Sequence, residues 1–236
     1  MLWKKSWQPE AVLSLAGGIV AAFFFGNVAA VLLRQAGVSG FKHDDSPGCV
    51  LLATLSFHGA AVVLGTVFLK AHGTRWHEVL NSTNWRRSLP LAVATLVVVA
   101  PVMFGLKFVS EVALQKIGWP VEDQRAVELI ISAKSLWLRA YLVFFAIVLA
   151  PLAEEFVFRG LLFSAAKKFG WPKLGWLGAS FLFALIHFNA PTFLPLFVFA
   201  LALTWLYEKT EGLFAPVVAH SLFNTANLAL LCLQKT

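Results

Sequence analysis

The chain has 236 residues, of which 59% are hydrophobic and 13% charged, with a formal net charge of +7 and a mean hydropathy of +0.76. Soluble globular chains carry about 45–50% apolar and about 25% charged residues, so this composition excludes an ordinary soluble domain and requires burial in a bilayer. Nucleic acid is not the partner that the basic balance suggests, because the cations fall between apolar runs and no basic cluster is interleaved with aromatics.

An apolar run of about 18 or more residues crosses about 30 Å of hydrocarbon as a helix. In chain order such runs occupy residues 11–33, 50–69, 89–106, about 140–166, 174–188, 190–207 and 212–233. The fold expected is therefore all-α, a polytopic transmembrane helical bundle of about seven spans. Six to eight is the range, because 174–188 is short and 117–134 is an eighth candidate. The first run follows Lys4 and Lys5 but exceeds the roughly 7–15-residue apolar core of a signal peptide, so it reads as an uncleaved anchor. No repeat or low-complexity tract divides the chain, which reads as a single integral membrane domain over 1–236: N-terminal spans and connecting loop to 136, then a core over 137–233.

Loop cations set orientation. An N-terminus inside gathers Lys4, Lys5, Lys70, Arg75, Arg86, Arg87, Lys167, Lys168, Lys173 and Lys209 on the cytoplasmic side. It leaves Arg34, Lys42, Lys107, Lys116, Arg125, Lys134, Arg139 and Lys235 on the other, ten against eight. The long polar segment is Lys107 to Arg139, where "GWPVED" looks like a turn and helix start, with Pro120 in the first position and acids in the first turn. It reads as a connector, with a gating surface helix as the alternative. Cys49 and Cys232 lie in or beside apolar runs with no metal-type or disulfide spacing and read as small core residues. Asn81-Ser82-Thr83 fits a glycosylation sequon, a triplet common by chance.

The fourth run contains "LAPLAEEFVFRGLLF", with three charges in a stretch otherwise made for lipid. An ionised group at the middle of a span costs roughly 2.5–3.5 kcal/mol, so three unpaired would cost on the order of 8–10 kcal/mol. Glu155 and Arg159 are four apart with the acid first, so they share a helix face and can pair. Glu154 points about 140° away from Arg159 on the helical wheel and needs another partner. Candidates are His187, and His220 with Asn224, which share one helix face. A lone histidine in a span is usually an interhelical hydrogen-bonder. A carboxylate with two histidines and an asparagine is instead a parts list for water activation and oxyanion stabilisation. His58 has no obvious acidic companion and reads as structural; His43, His72 and His77 read as solvated loop residues. Pro151 should remove one helical hydrogen bond, clash with the carbonyl of Ile147 and kink the span just ahead of the glutamates.

"EEFVFR" fits Glu-Glu-x-x-x-Arg, "FALIH" fits Phe-x-x-x-His with Phe183 and His187, and "HSLFN" fits His-x-x-x-Asn. Three such motifs in this order, each on its own apolar run, resemble the CAAX-processing and bacteriocin-processing intramembrane endopeptidases, the CPBP or Abi (Rce1-like) family. The resemblance covers about Tyr141 to Leu233. It implies a conical membrane-embedded active-site cavity and hydrolysis of a peptide bond in a membrane-associated substrate, either prenylated (CAAX-type) or bacteriocin-like. Glu154 would be the general base assisted by His187, His220 and Asn224 would stabilise the oxyanion, and Glu155, Arg159 and Phe183 would support the site. No cofactor is implied by a glutamate mechanism. The alternative is zinc held by Glu154, His187 and His220, although the chain has no His-Glu-x-x-His and "HEVLN" at His77 carries Asn81 where the second histidine would stand.

The expected partners are membrane lipid and a peptide or lipidated-protein substrate, and the expected location is a prokaryotic plasma membrane with the N-terminus inside. Two other readings remain: a non-catalytic scaffold or bacteriocin-immunity protein of the same fold, and a proton-coupled transporter using the buried Glu and His. No inverted repeat supports the transporter.

Overall fold

The structure is a computed structural model that describes residues 7–122 and 124–234. Lys4, Lys5, Asp123 and Lys235 lie outside those residues, as do the side chains of Arg125 and Cys232. Among the described residues all regular structure is helical. The helices are α1 (Pro9–Gln35), α2 (Pro47–Ala71), a short α3 (Trp76–Leu80), α4 (Trp85–Lys116), α5 (Arg125–Ser132), α6 (Leu136–Lys168), α7 (Pro172–Leu185), α8 (Ala190–Thr210) and α9 (Phe214–Gln234).

Seven of these take up the seven apolar runs in order. Five regions, falling in α1, α2, α4, α6 and α8, are long and apolar enough to cross a membrane. The fourteen residues of α7 rise only about 21 Å at 1.5 Å per residue, too short to span alone. The outward faces are apolar: Leu13, Val20 and Phe25 on α1, and Val97 and Val98 on α4, are well exposed. That is the signature of lipid contact rather than of a soluble surface, and the chain is an integral, multi-pass membrane protein.

α6 runs through the middle of the bundle and packs on α2, α7, α8 and α9, while α4 packs along α8 and α9. Small residues allow the closest approaches. A Cβ on Gly65 of α2 would come within 2.6 Å of the Phe156 ring on α6. At one end, Asn81 adopts the left-handed conformation at φ 53° and closes α3. Its Nδ2 donates to the Thr210 carbonyl at 2.9 Å. Asn81, read above as a chance sequon, thus ties α3 to the α8–α9 junction.

Two local readings change. The stretch from Lys107 is not a loop, because α4 continues to Lys116; Lys107 and Glu111 pair one turn apart at 3.5 Å. Nor does a helix start at Pro120. α5 begins at Arg125 after an extended Gln124. The segment between is held out of a helix by tertiary hydrogen bonds: Asn189 Nδ2 donates to the Glu122 carbonyl at 3.0 Å, and Gln124 Nε2 donates to Thr192 Oγ1 at 3.0 Å. α5 then packs Ile130 into a cluster with Val50, Ala133 and Leu142.

Candidate active site

Two stretches of α6 flanking the glutamates are wound as π-helix, Phe145–Leu149 and Phe156–Phe163, and a third π segment, Leu55–Gly59, lies in α2. Single π turns inside α-helices frequently mark functional sites, because they free carbonyls and re-aim side chains. The effect of Pro151 is expressed in this winding rather than as a clash at Ile147. The Ala150 N–H reaches back five residues to the Phe145 carbonyl. In that register the next acceptor is the Ala146 carbonyl, whose donor would be Pro151, which has no N–H. Asn224 of α9 fills the position, donating from Nδ2 to the Ala146 carbonyl at 2.8 Å. At the far end, Ser164 Oγ donates to the Arg159 carbonyl at 2.9 Å.

Glu155 and Arg159 are both fully buried and pair at 2.8 Å between Glu155 Oε1 and Arg159 Nη1. The other two guanidinium nitrogens also donate. Nη2 donates to the Ala200 carbonyl at 2.9 Å, Nε donates to Thr204 Oγ1 at 3.3 Å, and the group lies 4.8 Å from the centre of the Phe183 ring. A buried cation is tolerable when paired and hydrogen-bonded in this way.

Glu154 turns away from Arg159, as the wheel requires. Its Oε1 lies 3.0 Å from His58 Nε2 on α2, and its Oε2 lies 3.9 Å from His220 Nε2. His58 therefore has an acidic companion, supplied by another helix, where the sequence showed none. His220 also engages the second glutamate, with Nδ1 at 2.9 Å from Glu155 Oε1. Since an ionised carboxylate only accepts, Nδ1 carries the proton and the neutral ring presents a bare Nε2 toward Glu154. Glu154 Oε2 has no hydrogen-bond partner among the described residues.

His187 stands at the end of α7, half-buried, with no hydrogen bond to Glu154 among the described residues. Its Nδ1 donates to the Phe183 carbonyl at 2.7 Å, which leaves Nε2 as the free nitrogen. The Phe183 ring joins the parts: it lies 5.0 Å from the His187 ring, 5.7 Å edge-on from the His220 ring, and beneath Arg159. The cluster thus brings Glu154, Glu155, Arg159, Phe183 and His220 together with His58, and sets His187 and Asn224 at its margin. Among the described residues no three His, Cys, Asp or Glu side chains converge as a metal-holding group.

Residues 135–226 match the family model described as type II CAAX prenyl endopeptidase Rce1-like. This segment is similar to that family. The match spans α6 to α9 up to Ala226 and includes the whole motif set, whereas α1 to α5, and with them His58, lie outside it. Over a longer range the chain is similar to the UPF0177 protein YaiF of Lactococcus lactis subsp. lactis (strain IL1403), at 25% identity over 190 residues, 79% of this chain and 80% of the relative. No solved structure matches.

Proposed function

We propose that the chain is an intramembrane endopeptidase in which Glu154 is the general base. The observation that carries this is the facing pair Glu154 Oε2 and His220 Nε2, 3.9 Å apart, buried at mid-bundle with the carboxylate oxygen free of protein donors among the described residues. Two acceptors at that separation can share one water, which donates a hydrogen to each and keeps a lone pair for attack. In the step proposed, the water oxygen bonds to the substrate carbonyl carbon while its proton passes to Glu154 Oε2. That proton then goes to the peptide nitrogen as the carbon–nitrogen bond breaks.

His187 assists from the rim through its free Nε2. His220 holds the attacking water through its bare Nε2 rather than serving the oxyanion, and Asn224, through its second amide hydrogen, serves the tetrahedral oxyanion. Glu155, Arg159 and Phe183 hold His220 in place. The substrate class is a membrane-associated peptide. The family description makes a prenylated CAAX-type C-terminus the first choice, with a bacteriocin-like precursor second. The cations at the end shared by the α2–α4 and α8–α9 connections, Lys70, Arg75, Arg86, Arg87 and Lys209, support a cytoplasmic N-terminus, and the location proposed is a prokaryotic plasma membrane.

The test is cleavage of a mixed library of prenylated and unmodified peptides by the detergent-purified protein, alongside Glu154→Gln, each with and without a strong chelator. Loss of a positioned general base costs about 10²–10⁴-fold. Glu154→Gln should fall by that factor, with wild-type cleavage surviving the chelator. Loss on chelation moves the chemistry to a metal, and no cleavage with a stably bound partner moves the protein to the scaffold reading.

A further inference from the structure

We propose that His58 is a positioning residue of the active site, supplied by the N-terminal half of the chain. Its hydrogen bond selects which oxygen of Glu154 acts as base. The inference rests on the reading of Glu154 as base and adds to it a residue outside the family segment.

Three observations converge. First, His58 Nε2 and Glu154 Oε1 are 3.0 Å apart, with side-chain exposures of 17% and 10%. Since the carboxylate accepts, Nε2 carries the hydrogen and Nδ1 is bare in the neutral ring. Second, that Nδ1 is buried without a partner among the described residues. The ring is walled edge-on by Phe57 at 4.9 Å and Phe145 at 4.7 Å. Among the described residues the polar contact of this ring is the one with Glu154. Third, His58 sits inside the π segment of α2, and Phe145 opens the π segment that precedes Glu154.

The consequence is directional. A free carboxylate rotates about its last bond and presents either oxygen. With Oε1 pinned by His58, the plane of the group is set and Oε2 faces His220 Nε2. A misplacement of about 1 Å at a reacting group can cost about 10²-fold in rate.

The experiment uses the full-length protein in detergent, with an internally quenched farnesylated CAAX peptide as probe, comparing wild type, His58→Leu, His58→Gln and Glu154→Gln. In His58→Gln the new amide nitrogen can sit close to the position that Nε2 occupies. His58→Leu should lower kcat about 10–100-fold with KM within about 2-fold, and His58→Gln should recover most of the loss. A matched readout that does not depend on turnover is the ring ¹⁵N spectrum of histidine-labelled protein. The resonance lost in His58→Gln should report an Nε2–H tautomer and should move in Glu154→Gln. Glu154-dependent cleavage with full kcat in a folded His58→Leu overturns the inference and leaves the base in place. So does a His58 resonance indifferent to Glu154→Gln. Absence of wild-type cleavage removes the base reading, and the inference with it.

Discussion

Asn224 Nδ2 donates to the carbonyl oxygen of Ala146 at 2.8 Å, binding α9 to α6 where Pro151 leaves a backbone acceptor without its helical donor. This bond is part-buried, and removing one partner costs about 1–3 kcal/mol when the other is left unsatisfied away from water. Asn224→Ala should therefore lower stability by about that much. Pro151→Ala restores a backbone N–H next to the gap, so the penalty of Asn224→Ala should shrink in the Pro151→Ala background. Thermal unfolding of the four proteins in one detergent gives the cycle, and strict additivity would show that proline and asparagine are unrelated.

The two glutamates should separate by phenotype. Arg159→Ala leaves Glu155 buried without its cation, a change that costs about 3–5 kcal/mol. Glu154→Gln keeps the shape of the side chain and its contact with His58. Unfolding followed by tryptophan fluorescence should show a large drop for the first and a small one for the second, with the second alone losing hydrolysis in a fully folded state. Equal folding defects would count against the division of labour.

Phe183 is the ring on which Arg159, His187 and His220 converge. Phe183→Leu keeps most of the apolar volume but removes the cation–π contact, worth up to about 2 kcal/mol in a desolvated site. The expected outcome is a modest fall in melting temperature with a disproportionate loss of kcat, because two histidines lose the surface that orients them. A kcat loss no larger than the stability loss explains would make Phe183 a packing residue only.

Glycines offer a test of the packing that needs no substrate. A Cβ on Gly65 would meet the Phe156 ring at 2.6 Å, whereas a Cβ on Gly17 would meet nothing within 4 Å. Overpacking a core costs about 1–3 kcal/mol, so Gly65→Ala should destabilise the α2–α6 contact and Gly17→Ala should not. Comparable effects would place α2 elsewhere, and with it His58.

The bilayer made much of this fold legible in the sequence. Spanning is a property of contiguous residues, so the seven apolar runs mark seven helices whose ends move by a few residues, and the largest extension carries α4 to Lys116. The Glu155–Arg159 pair was readable for the same reason, since an i, i+4 spacing is local geometry. The helical wheel also required Glu154 to find a partner off that face. Which helix stood there was beyond it: periodicity gives a direction along one helix, while the neighbour in that direction is set by packing of the whole bundle. His58 is 96 residues from Glu154 in the chain, and only the close approach of α2 to α6 at Gly65 brings them together. The π winding around the glutamates and the capping of Ala146 by Asn224 belong to the same class. Each is a backbone register settled by a partner from another helix, and tertiary structure alone decided them.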